Sequence, residues 1–331
     1  MSFSLISQFS KIQLLIIRYE EPVILVLGNI GNTVNIWIFL QRDLRKNVCS
    51  WYFISLSIAH LLLLDSFCLP RIIITSTGDN VFRYISILCK LRAYATELTL
   101  LLSRYFLCLI SIDRWMVTSS NAWIRQQSSS RVARWLIIIG IAFFTISSLH
   151  AAIGYQTNPV ECTPPFGSTY EFFVSVESII ASMTPMLIMS IFSLLTVFNV
   201  RSRLMRQIQP TKTDASRSQI QSTVTSNAQF SYQRFKGNMQ LVRLSLLQVT
   251  FYLMLNSVWS IIPLYSFLAG AQAMMNINQQ MMTLFLGRIG LNLLFTYASI
   301  TFILYTLASK SFRQACIVAI KQLGNTYQRR F

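Results

Sequence analysis

The sequence predicts an all-α membrane protein: a bundle of seven transmembrane helices followed by a short amphipathic helix on the membrane surface. Three observations carry that prediction. Of 331 residues, 53% are hydrophobic and 12% charged, about half the charged share of a soluble domain, and the mean hydropathy is +0.50. Seven runs each offer the roughly 20 apolar residues that a spanning helix needs. The net charge of +17 gathers on alternate connections between those runs. Too few polar residues remain to cover a soluble surface, which excludes an ordinary water-soluble enzyme or nucleic-acid-binding domain.

Residues 1–16 precede the first run and read as an extracellular N-terminus. The spans follow at 17–40, 50–74, 85–118, 132–154, 173–200, 240–268 and 283–307. The first is long and lacks a small-residue cleavage site, so it reads as a signal anchor. No charge occurs between Arg243 and Arg288, a stretch too long for one span. Gly270 and the polar run Asn276, Asn278, Gln279 and Gln280 supply the turn that divides it. Residues 201–239, rich in Ser, Thr and Gln, read as a flexible third cytoplasmic loop. The tail, 308–331, alternates Phe312, Cys316, Ile317 and Ile320 with Lys310, Arg313 and Lys321, a pattern suited to lying on anionic membrane lipids. The runs are continuous rather than alternating, unlike the strands of a membrane barrel.

Orientation follows from the basic residues. With the N-terminus outside, the cytoplasmic segments hold 20 of the 28 Lys and Arg but only 3 of the 11 acids, Asp43, Asp113 and Asp214. The whole net charge then sits on the cytoplasmic face, as positive-inside topology demands. A multi-pass protein of the plasma membrane is the expectation.

Several residues in this frame resemble the rhodopsin-like (class A) G protein-coupled receptors. Span 1 holds Gly31-Asn32-Thr33-Val34-Asn35, similar to that family's GNxxN. Span 3 ends in Asp113-Arg114-Trp115, similar to its D-R-Y. Cys89 lies 25 residues before Arg114 and Cys162 falls in the second outer loop. Pro185 and Pro263 fall inside spans 5 and 6. Tyr305 precedes Phe312 and Arg313 by the spacing of the junction from span 7 into the surface helix. The resemblance covers about residues 20–320. It implies a Cys89–Cys162 disulfide, packing roles for Asn32, Pro185 and Pro263, and a G-protein-coupling region built from Asp113, Arg114, Trp115 and Tyr305. Heterotrimeric G proteins would be the partners, with arrestin and receptor kinases as further candidates, and Cys316 becomes a candidate for palmitoylation.

The departures from the pattern matter. His60 stands where the family has its span-2 Asp, and Thr301-Phe302-Ile303-Leu304-Tyr305 replaces NPxxY. Trp259 precedes Ser260-Ile261-Ile262-Pro263 where the family has CWxP. Loss of the Asp and Asn removes a carboxylate cluster that binds sodium in relatives, and an imidazole cannot replace a carboxylate as a hard-cation ligand. No metal or cofactor is expected, and no catalytic constellation is visible. Thr96 and Phe295 occupy the positions where amine receptors carry Asp and opsins carry their Lys.

Ionisable residues inside spans are functional candidates because burying them in lipid is costly. Glu97 and Arg104 lie seven residues apart on one face of span 3, Glu177 in span 5 and Arg288 near the outer end of span 7. Converging on one outer cavity, they would offer two carboxylates and a cation to an extracellular ligand. The alternative is internal Glu–Arg pairing. By resemblance the ligand class is a peptide, as in neuropeptide receptors, with a small molecule also open. A seven-span transporter or channel and a non-signalling decoy receptor remain as alternative functions.

Overall fold

The computed structural model describes residues 8, 11–78, 80–157, 162–165, 167–208, 221–268 and 277–328. Seven of its helices are long and apolar enough to cross a membrane, as the seven runs require. They are α1 Glu21–Phe39, α2 Val48–Thr77, α3 Ser86–Thr118, α4 Ser130–Ser147, α5 Thr169–Ile208, α6 Gln221–Leu268 and α7 Ile277–Ala308; the amphipathic α8, Lys310–Gln328, follows. Short helical turns at Arg42–Arg45, Val81–Tyr84, Ala122–Gln127 and Leu149–Gly154 fill connections, and β1 Gln156–Thr157 pairs antiparallel with β2 Cys162–Thr163.

Local chemistry sets the helix ends. Ser129 Oγ accepts from Val132 N–H at the start of α4, and Ser309 Oγ accepts from Phe312 N–H at the start of α8. Each satisfies an N-terminal donor that has no intrahelical partner. Gly78 closes α2 with φ of 73°, a left-handed conformation that costs other residues a Cβ clash. The third connection differs from its expected flexible form. Helix α5 runs on to Ile208 and α6 begins at Gln221, so helical ladders satisfy both flanks, while Pro210 lies outside the described residues. The proposed turn from Gly270 to Asn276 lies outside them too.

Helix α1 packs on α2 and α7, α2 on α3, α3 on α5, and α6 on α7. Close approach of α1 to α7 depends on Gly31, where a Cβ would lie 3.0 Å from that of Phe302. Beside it Asn32 Nδ2 donates to Gly28 O at 2.8 Å and to Ala298 O at 3.0 Å. Thr301, standing where the resemblance expects Asn, donates to Asn32 Oδ1 at 3.2 Å and accepts from Asn35 Nδ2 at 3.3 Å. A hydroxyl can do both because it is donor and acceptor at once.

Candidate functional site

The two ends of the bundle hold different chemistry. At one end β2 is bonded to α3 through the Cys89–Cys162 disulfide, with Cα atoms 5.6 Å apart. A disulfide closing so long a loop restricts the unfolded chain and contributes about 4 kcal/mol. It also pins the connection between α4 and α5 over the start of α3.

Beneath it four ionisable residues meet. Glu97 of α3 lies close enough to Glu177, Arg104 and His150 for their charges to interact. Glu177 is paired with His150, whose Nε2 lies 3.0 Å from the carboxylate. Tyr170 donates its proton to His150 O at 2.9 Å and sits 3.1 Å from Nδ1. With that proton spent, the contact at Nδ1 is a hydrogen bond only if the ring nitrogen donates. The other ring nitrogen, Nε2, faces the Glu177 carboxylate. Tyr155, just beyond α4, joins the group; burial first, then the carboxylate of Glu97, pushes its phenol above the ordinary range. Glu97 makes no hydrogen bond or ion pair among the described residues.

Arg104 does not pair with Glu97 as internal Glu–Arg pairing would have it. Pro185 has no N–H to give the carbonyl four residues earlier, which is Ala181 O. Arg104 Nη1 takes that place, donating to Ala181 O at 3.2 Å. Pro185 thus explains why a cation bridges α3 to α5. Arg104 is only 4% exposed and its Nε has no acceptor among the described residues.

The charge of Arg288 acts on Glu21 of α1, together with those of Arg71 and Arg92, while the charges acting on Glu97 are those of Glu177, Arg104 and His150. Arg71 Nη1 lies 3.0 Å from Glu21 Oε1, and both Arg71 and Arg92 lie over the ring of Phe67, at 5.0 and 5.7 Å. This cluster joins α1, α2, α3 and α7. Pro263 lies inside α6, two residues before the end of the apolar stretch Met239–Tyr265.

At the opposite end Arg114 is ion-paired with Asp113, and both side chains are nearly fully buried. Ser128 Oγ donates to the other Asp113 oxygen at 2.6 Å, so both carboxylate oxygens are engaged. Trp115 packs edge-on against Phe192 of α5, centroids 5.2 Å apart. Tyr305 sits edge-on to Phe39, Phe53 and Phe312 at 5.6, 5.3 and 5.8 Å, tying α7 and α8 to α1 and α2. Gln248 of α6 is fully buried beside the hydroxyls of Tyr297 and Tyr305, without a hydrogen bond of ordinary geometry to either. Sequence reasoning missed Gln248, His150, Tyr170 and Tyr155. A polar residue inside an apolar run was the available signal for Gln248 and His150. Cys316 is a free, partly buried thiol on α8.

A family profile described as "7 transmembrane receptor (rhodopsin family)" matches residues 31–292. Among individual proteins, "Probable G-protein coupled receptor 34" of Pan troglodytes is 29% identical over 114 residues, 34% of this chain and 29% of that protein. "G-protein coupled receptor homolog FPV027" of Fowlpox virus (strain NVSL) is 23% identical over 209 residues, 59% of this chain and 60% of that protein. "Neuropeptide Y receptor type 2" of Gallus gallus is 28% identical over 160 residues, 47% of this chain and 39% of that protein. In each case the match spans less than two thirds of the relative.

Proposed function

Because this chain belongs to the rhodopsin family of seven-transmembrane receptors, we propose that it binds an extracellular ligand at the disulfide end and activates heterotrimeric G proteins at the Arg114 end. The disulfide end would face outward at the plasma membrane, and the basic connections would face the cytoplasm. The ligand is a peptide carrying a positive charge, and that charge pairs with Glu97.

One observation carries the ligand assignment. Glu177 already has His150 as its partner, whereas Glu97 makes no hydrogen bond or ion pair among the described residues. A carboxylate left so in a low-dielectric site is costly. A cationic ligand group gains both the charge-assisted hydrogen bond and relief of that cost. The expected share of affinity narrows from either carboxylate to Glu97. The similarity to a protein named as a neuropeptide Y receptor supports the peptide class.

At the other end, Asp113 and Ser128 hold Arg114 in a closed arrangement. Ligand binding would favour a bundle in which Arg114 leaves Asp113 and meets the C-terminal end of a G-protein helix, where a cation is favoured. A neuropeptide library applied to cells that express this chain with promiscuous G proteins tests the reading. A response to a basic peptide, absent in cells without the chain, is the expected result. Signalling to neutral ligands only would overturn the charge assignment.

A further inference from the structure

A second cavity, of about 510 Å³, borders the Glu97 cluster at Arg104 and Glu177 and extends from there between α4 and α5. Helices α4 and α5 both pack on α3, and between them α3 forms the floor of a cleft. Leu101, Tyr105, Cys108 and Leu109 of α3 line it, with Phe144 of α4 and Ile180 of α5 among the walls. Among the described residues none of α6 or α7 lines it, so this is not the interior of the bundle. Only 17% of the apolar stretch of α4, and the same share of that of α5, is buried, against 61% for α3. The cleft therefore opens sideways, into the zone that the membrane occupies.

Its volume falls within the range of small-ligand sites, about 300–1,000 Å³. The walls are apolar with one exception that matters. Arg104 reaches the floor of the cleft, 4% exposed, with its Nε lacking an acceptor among the described residues. It lies near the middle of α3, far below any phospholipid headgroup. A molecule entering from the membrane that fits both features has a long apolar chain and a single anionic acceptor at its end.

We propose that the cleft between α4 and α5 is an intramembrane site for a free single-chain carboxylic acid, whose carboxylate is held by Arg104 and whose chain lies along α3 and α5. Glu177 also lines the cleft, one helical turn from Ala181, where its carboxylate is engaged by His150 Nε2 at 3.0 Å. A phospholipid cannot make the same contact, because its ester groups stay near the interface. Arg104 also borders a small internal void with His60, Tyr252 and Tyr297. An occupant of the cleft that draws the guanidinium outward thereby alters packing between α3, α6 and α7.

The test uses the full chain in nanodiscs and a fatty acid bearing a diazirine and an alkyne. Expected is labelling of α3 and α5 peptides around Leu101–Ile112 and Ile180–Ile188, competed by unlabelled oleic acid. The methyl ester of the same probe should label on the order of tenfold less, as loss of one charge-assisted hydrogen bond implies. Arg104→Gln should reduce labelling similarly. Thr184→Trp, which fills the cleft from its exposed rim and spares Arg104, should abolish it even if Arg104→Gln fails to fold. Equal labelling by the methyl ester, by a phosphatidylcholine with the same chain, or in Thr184→Trp would overturn the proposal.

Discussion

The two ends of this bundle treat buried charge in opposite ways. At the Arg114 end the charges are satisfied by near neighbours: Asp113 is adjacent in sequence and Ser128 closes the remaining oxygen. Aromatic packing around Tyr305 then fixes α7 against α1, α2 and α8. At the disulfide end partners come from different helices, and Glu97 is left with no hydrogen bond among the described residues. In the proposed reading, a satisfied ion pair at one end and an incompletely satisfied cavity at the other let a ligand shift the bundle, since only a group with a different affinity for two states moves their balance.

Changes at each end should therefore separate. Arg114→Ala removes the cation of that ion pair, and complete loss of G-protein activation with ligand affinity within about threefold of wild type is expected from radioligand binding and second-messenger assays. Such a difference corresponds to well under 1 kcal/mol. Phe39→Ala deletes a ring that touches Phe53, Tyr305 and Phe312, and should destabilise the receptor by about 3–5 kcal/mol. A lowered melting temperature in detergent and reduced surface expression would report it.

At the disulfide end, Cys89→Ser and Cys162→Ser should each abolish surface ligand binding, and the double variant should be no worse than either single. Two halves of one bond do not add; additive losses in a cell-surface binding assay would separate them. A smaller effect belongs to Thr301→Val, which keeps the shape but cuts the hydroxyl contacts to Asn32 and Asn35. It should cost about 1–3 kcal/mol, the penalty for leaving buried polar groups unpaired, seen as a lower melting temperature without a change in ligand potency.

Much of this architecture is readable in the sequence because lipid leaves few options. Apolar runs of spanning length and basic connections follow from composition alone, and the seven helices appear where those runs lie. The Cys89–Cys162 bond is what the family resemblance implies, and the same resemblance places Tyr305 and Phe312 at the junction of α7 and α8. The convergence of side chains was not. Helix rotation within the bundle is set by packing, so Arg288 and Glu97 share an end of the bundle in sequence, yet the charge of Arg288 acts on Glu21 and Glu97 meets Glu177, Arg104 and His150. His150 reads as a lone histidine in span 4, and only the approach of α5 gives it Glu177 and Tyr170. Arg104 looked like the partner of Glu97 because both lie on α3. The missing N–H of Pro185, on another helix, claims it instead.

The account stands most directly on one comparison, made once a peptide agonist is in hand. Concentration–response curves for Glu97→Gln and Glu177→Gln would be measured on that agonist and on an analogue with its basic group neutralised. Glu97→Gln should weaken the agonist by about 2–5 kcal/mol, the usual effect of truncating one partner of a desolvated charge pair, while preserving the maximal response. The neutral analogue should be equally weak on wild type and on Glu97→Gln, and Glu177→Gln should change potency less. Wild-type potency in Glu97→Gln, or a neutral analogue as potent as the agonist on the wild type, would contradict ligand recognition at the disulfide end through Glu97.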